Sequence, residues 1–168
     1  MGDNSQKVSI LLSVYNAERS IELSIKSILS QTYKNFELLI MDDHSTDKTF
    51  KICEEMRSID SRITLFKNSI NLGLTKSLNI LALNSNGAYI ARQDADDISL
   101  DERIEKQLSF LKKNKFDAVY SRTFLKDTKK ISPKITHYLP KKIVIKYKNP
   151  YIHGCLLYTS DAADDSLR

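Results

Sequence analysis

The chain has 168 residues, is 41% hydrophobic and 28% charged, and carries a net charge of +5. These values suit one soluble globular domain, and no run approaches the roughly 18 apolar residues of a helical membrane span. Two cysteines, Cys53 and Cys155, are too few for a disulfide framework or a thiolate metal site, so a reducing, cytoplasmic setting is expected.

The start, Met1 to Lys7, is polar and lacks the pattern of a secretory signal. Val8 to Val14 is a short, nearly continuous apolar run, the pattern of a strand buried on both faces. Ile21, Ile25, Ile28 and Leu29 recur at helical spacing, with Ser20 as the expected cap. Phe36 to Met41 predicts a second buried strand. It breaks into Asp42-Asp43-His44-Ser45-Thr46-Asp47, before a helix with Phe50, Cys53 and Met56 on one face and Ser45 or Thr46 as cap. Arg62 to Phe66 predicts a third strand, and Asn71-Leu72-Gly73 a turn. Leu74, Leu78, Leu81 and Ala82 mark a third helix, expected to stop near Asn84 to Gly87 with the glycine at its end. Ala88 to Arg92 predicts a fourth strand running into Asp94-Ala95-Asp96-Asp97. A helix with Ile104, Gln107, Leu108 and Leu111 inward follows, capped by Asp97 or Ser99, then a fifth strand at 117–121.

Strands and helices alternate, which predicts an α/β fold with a mostly parallel sheet and helices on both faces. Ligands of such sheets bind outside the carboxyl ends of the strands. Three strand ends carry polar residues: Ser13 to Asn16, Asp42-Asp43, and Asp94 to Asp97. Three carboxylates within four residues repel one another unless a cation intervenes. Magnesium and manganese favour oxygen ligands, and magnesium takes one or two carboxylates and completes its shell with water and phosphate. A diphosphate bridged by one metal fits that coordination; capping of the next helix is the structural alternative. A carboxylate of Asp42 or Asp43 suits a ribose hydroxyl or a base N–H, or else the dipole of the following helix. Tyr15 is placed to stack on a nucleobase, or to pack with a wet hydroxyl.

Other phosphate-binding folds fit less well. No glycine fingerprint follows the first strand and no P-loop is present. A receiver domain would carry its paired acids after the first strand rather than the second. A nucleotidyltransferase would carry a glycine-rich basic loop there. Eight lysines fall between Lys126 and Lys148, a solvated face or an attraction to an anionic membrane surface or phosphorylated acceptor. No nucleic-acid-binding motif accompanies them.

Together these stretches resemble family 2 glycosyltransferases, which have the Rossmann-like GT-A fold. The resemblance rests on Ser13-Val14-Tyr15-Asn16-Ala17-Glu18, on Ser27 to Thr32 with Phe36 to Ile40, and on Asp42 to Asp47, with His44 where glycine is commoner. It continues through Asn71-Leu72-Gly73, Gly87 to Asp97 and Asp101 to Gln107, covering about residues 7 to 154. It implies that Tyr15 and Asp43 contact the base, with Ser13, Asn16 and Asp42 also at the nucleotide. Asp94 is then the first acid of an Asp-x-Asp motif. Asp96 meets the ribose or the metal, Asp96 and Asp97 are the metal candidates, and Lys76 is a weaker phosphate contact. The implied cofactor is Mg2+ or Mn2+, and the donor a nucleotide-diphosphate sugar, usually of uridine. The implied acceptor is a glycan or lipid-linked sugar, with inversion, in surface polysaccharide synthesis at the inner membrane face.

The implied general base lies in a later segment. Asn149 to Gly154 still fits the family, but Cys155 to Asp164 resembles the translation of a transposon-end adapter used in sequencing libraries. Residues 1–154 are therefore expected to be an incomplete GT-A domain, with its C-terminal part missing. Residues 155–168 are expected to be a non-native tail with no packed element around Asp161, Asp164 and Asp165. Such a chain would bind nucleotide but transfer sugar poorly, and would leave apolar surface open on the acceptor side.

Overall fold

The computed structural model describes residues 6–115, 118–120, 123–125, 130–132 and 156–159. The alternation expected from the sequence is present. Strand β1 (Val8–Val14), helix α1 (Ile21–Leu29), β2 (Phe36–Asp42), α2 (Thr49–Ile59) and β3 (Ile63–Lys67) come first. Helix α3 (Leu74–Leu83), β4 (Tyr89–Asp94), α4 (Arg103–Asn114) and β5 (Ala118–Tyr120) follow. Strands β6 (Thr123–Leu125) and β7 (Lys130–Ser132) form a separate antiparallel pair, and β8 (Leu156–Thr159) closes the described residues.

The main sheet has the order β3-β2-β1-β4-β8-β5. Pairings β3–β2, β2–β1 and β1–β4 are parallel, and β8 runs antiparallel between β4 and β5. Central β1 is covered on both faces, and its side chains alternate between two cores as strand geometry requires. Val8, Ile10, Leu12 and Val14 join Ile21, Ile25 and Ile28 of α1, Cys53 and Met56 of α2, and Ile104, Leu108 and Leu111 of α4. Leu11 turns the other way, to Leu39, Met41, Ile90 and Leu81 of α3.

Packing, not capping, holds these helices. None of the four has a side-chain cap hydrogen bond. A cap is worth about 1 kcal/mol, whereas each buried Leu or Ile contributes roughly 1.5–3 kcal/mol. The expected caps have other tasks. Ser20 Oγ turns to the Ala17 carbonyl, Ser45 and Thr46 bond to Asn16, and Ser99 is buried in a polar network beneath the acidic loop. Gly87 does not end α3, which closes with Asn84 at its C-cap. A side chain there would meet the Ser9 backbone nitrogen at 2.6 Å, so glycine allows the turn before β4 to lie against β1.

The segment set apart by its sequence also contains structure. Leu157 is fully buried in the main core, and its strand contributes to the sheet, within the stretch from Cys155 that was expected to be a non-native tail. An inward Leu between two strands satisfies both hydrophobic burial and the sheet ladder. Asp161, Asp164, Asp165 and most of the lysine-rich segment lie outside the described residues.

Candidate functional site

The carboxyl ends of β1 and β4 frame a cavity of about 570 Å³. Its lining includes Ser13, Tyr15, Asn16, Asp94 and Asp96 from the sequence-derived candidates, with Glu18, Arg19, Asp47, Leu74 and Arg92 besides. Ser13 and Asp94 are register partners across β1 and β4, which brings the first and third polar strand ends side by side. Tyr15 is 51% exposed, so its ring is open to a flat ligand.

The turn after β1 is stitched to the turn after β2. Asn16 adopts φ 49° and His44 φ 65°. The Thr46 amide donates to Asn16 Oδ1 at 2.8 Å, and the Asn16 amide to Ser45 Oγ at 3.0 Å. The Ala17 amide donates to Thr49 Oγ1, the Glu18 amide to Asp47 Oδ2, and the Lys48 amide to Glu18 Oε2. His44 thus holds a left-handed backbone position, one that glycine adopts without a Cβ penalty.

Asp42 and Asp43 have separate surroundings. Asp42 shares the strand face of Leu38 and Ile40 and is fully buried; one oxygen accepts from the Ser45 amide at 3.1 Å, the other has no hydrogen-bond partner. Burial, and then the charge of the neighbouring Asp42, push the Cys53 thiol up to about 12. Asp43 lies past the strand end and is 2% exposed. It accepts from the Leu72 and Gly73 amides at 2.8 Å each and from Asn68 Nδ2 at 2.7 Å. Burial raises its carboxyl, but the bonds from Leu72, Asn68, Gly73 and Ser77 outweigh it and hold Asp43 below the usual carboxylate range. Neither residue lines the cavity. Asp43 organises the loop that leads into α3. Lys76, on α3, is exposed, but Leu74 is the α3 residue that reaches the cavity wall.

The acidic loop is anchored from below. Gln93 points to the face opposite Arg92 and Asp94, and its Nε2 donates to the Asp97 carbonyl at 2.8 Å. Its Oε1 accepts from Arg103 Nη1 at 2.7 Å and from Ser99 Oγ at 2.7 Å. Arg103 Nη2 donates to the Arg92 carbonyl at 2.7 Å, and Ser24 Oγ to the Asp94 carbonyl at 3.0 Å. Burial, then the charges of Asp94 and Asp96, push the Asp97 carboxyl above the usual range, against Arg103 and Arg92. Ile98 and Leu100, on the same loop, are 67% and 82% exposed.

Among the described residues no group of three or more His, Cys, Asp or Glu side chains is gathered to hold a metal. Asp96 faces the cavity, Asp97 does not line it, and Asp94 Oδ1 is held by Arg92 at 2.9 Å. An open site with one or two carboxylates fits a magnesium or manganese ion that takes its remaining ligands from water and phosphate. The residues that sequence reasoning passed over are Arg92, Glu18, Arg19 and Asp47, and Gln93 and Arg103 beneath them. Arg92 had a legible signal, because strand periodicity puts residues two apart on one face. The others depend on contacts between distant segments.

A model of the family described as "Glycosyl transferase family 2" matches residues 9–160. EpsE of Bacillus subtilis (strain 168), named as a glycosyltransferase, is 37% identical over 163 residues, 95% of this chain and 59% of that protein. The Escherichia coli protein WfgD is named a UDP-Glc:alpha-D-GlcNAc-diphosphoundecaprenol beta-1,3-glucosyltransferase. It is 38% identical over 92% of this chain and 60% of its own length. The chain thus spans about three-fifths of these two relatives. The crystal structure of S. aureus TarS 1-349 in complex with UDP-GlcNAc has a similar fold. Its TM-score is 0.72 at 23% identity, with 96% of this chain and 47% of that chain covered. Since the family match takes in every strand end that builds the cavity, this chain belongs to glycosyl transferase family 2.

Proposed function

We propose that this chain forms the donor site of a metal-dependent, inverting glycosyltransferase. It takes a nucleotide-diphosphate sugar, of uridine, for transfer to a glycan or lipid-linked acceptor in surface polysaccharide synthesis. The observation that carries the reading is one cavity with an open aromatic, Tyr15, and carboxylates, Asp94 and Asp96, on its wall. A nucleotide has a flat base at one end and a diphosphate at the other, and the cavity lining supplies a partner for each. The names of WfgD and of the TarS complex support uridine donors and a lipid-linked acceptor. Work at the inner membrane face is part of the proposal, supported by the eight lysines between Lys126 and Lys148. No helix among the described residues is long and apolar enough to cross a membrane.

The chain's own residues orient and bind. Tyr15 stacks the base, Ser13 and Asn16 shape the turn beside it, and Asp43 fixes the 68–73 loop from behind. Asp96, with Asp97 as the second candidate, holds Mg2+ or Mn2+, which when bound neutralises the leaving diphosphate. The general base is assigned to sequence beyond residue 154. In the alternative reading this polypeptide binds donor without transferring sugar.

Calorimetric titration of UDP with manganese, against Asp96→Ala, tests the donor site. Metal-dependent heat in the wild type that is lost in the variant is expected. No heat from folded wild-type protein overturns the reading. Product formation from labelled UDP-sugar then separates transferase from binding fragment.

A further inference from the structure

We propose that Arg92 contacts the donor diphosphate directly, and that Asp94 serves as its positioning residue rather than as a metal ligand. The proposal rests on the donor-site reading above and deepens it.

Strand alternation puts Arg92 and Asp94 on one face of β4, with Gln93 on the other. Both are partly sheltered, with 18% and 33% of their side chains exposed, and both line the cavity. Arg92 Nε and Nη2 converge on one oxygen, Asp94 Oδ1, each at 2.9 Å. That geometry leaves Arg92 Nη1 and Asp94 Oδ2 without a hydrogen-bond partner among the described residues. The guanidinium is thus fixed by a hydrogen bond from Nε and an ion pair at Nη2, and still has capacity to give. A planar, permanently charged fork of this kind is suited to phosphate oxygens.

Charge balance points the same way. The cavity lining carries Glu18, Asp47, Asp94 and Asp96 as acids, and Arg19 and Arg92 as cations. A diphosphate entering there meets four carboxylates, so it needs cationic partners inside the cavity. Arg19 is exposed on the turn after β1, whereas Arg92 is held on a central strand by Asp94. Among the other cations, Lys76 on α3 is exposed and does not line the cavity. Arg103 bonds Gln93, Ser99 and the Arg92 carbonyl beneath the loop, and Lys67 lies over the Phe50 ring at 4.0 Å. Asp94, bound to the guanidinium, has one oxygen committed, whereas Asp96 is exposed and has no hydrogen-bond partner to displace among the described residues.

The test compares affinities for UDP and UMP in wild type, Arg92→Gln, Arg92→Lys and Asp94→Asn, each in chelated buffer and with manganese. Thermal unfolding is recorded alongside. Loss of charge-assisted bonds to phosphate predicts that Arg92→Gln weakens UDP binding about ten-fold or more in both buffers. It also predicts a narrower preference for UDP over UMP, partly restored in Arg92→Lys. Asp94→Asn is expected to shift the same ratio less, while keeping the response to manganese. If Arg92→Gln lowers the melting temperature but leaves the UDP to UMP ratio at its wild-type value, the residue is structural and the proposal is overturned. Should that variant not fold, the same ratio in Arg92→Lys decides. Loss of the manganese response in Asp94→Asn makes Asp94 a metal ligand and overturns its positioning role. A folded wild type that binds neither nucleotide overturns the donor site itself, and this assignment with it.

Discussion

Arg103 Nη1 donates to Gln93 Oε1 at 2.7 Å, tying the helix after the acidic loop to the strand before it. The two ends of the loop are therefore fixed to each other, and the carboxylates between them inherit that fixity. Arg103 is 8% exposed, so its charge is kept inside by hydrogen bonds to Gln93, Ser99 and the Arg92 carbonyl. Replacing it with Met removes donors from buried acceptors. We expect a loss of about 2–4 kcal/mol in urea unfolding, and weaker manganese-dependent UDP binding in the protein that remains folded. Unchanged stability would show that the network is dispensable.

Asp43 gives a pH-dependent prediction. Its folded carboxyl lies below the usual range, so its contribution is present above the unfolded Asp value of about 3.9 and is lost as pH falls through the folded one. Asp43→Asn should cost about 2 kcal/mol at pH 7. The gap between variant and wild type should close as acid protonates Asp43. Denaturant midpoints measured from pH 7 down to pH 3 check this; a constant gap would contradict it.

His44→Gly removes a side chain from a left-handed backbone position, φ 65°. Relief of that strain, about 1–2 kcal/mol, exceeds the added chain entropy of glycine, about 0.5–1 kcal/mol. The variant should be more stable by roughly 0.5–1 kcal/mol, read as a higher melting temperature. A lower one would mean that the imidazole makes a compensating contact.

Leu157→Ala tests whether β8 is integral. The side chain is fully buried between strands and helix α4. Its truncation should cost about 2–5 kcal/mol. If stability does not change, the strand contributes nothing to the fold, as its unusual surrounding sequence first suggested.

The order of the first nine elements was legible because each has a period, and a period needs no knowledge of distant residues. Ile21, Ile25 and Ile28 identify the buried face of α1, and the continuous run of Val8 to Val14 identifies a strand covered twice. The three polar strand ends were legible from the rule for parallel sheets. What was not legible depends on encounters across the chain. Asn16 meets Thr46, and Gln93 meets Arg103, because separate segments fold together. Adjacent Asp42 and Asp43 look equivalent in sequence. The end of β2 falls between them, so one faces the core under α2 and the other the 68–73 loop. β8 was not expected because Cys155 to Asp164 resembles translated adapter sequence, which turned attention from the apolar pair Leu156-Leu157.

The stitching of residues 16–18 to 45–49 has a practical consequence for altering this protein. Five side-chain bonds to backbone amides run across that seam, so neither segment specifies its own path. A transplant of one segment from a relative, without its mate, would present mismatched donors and acceptors on the wall beside Tyr15. Recombination that exchanges both segments as a unit should preserve the shape of that wall, and libraries that diversify them independently should yield mostly misassembled variants.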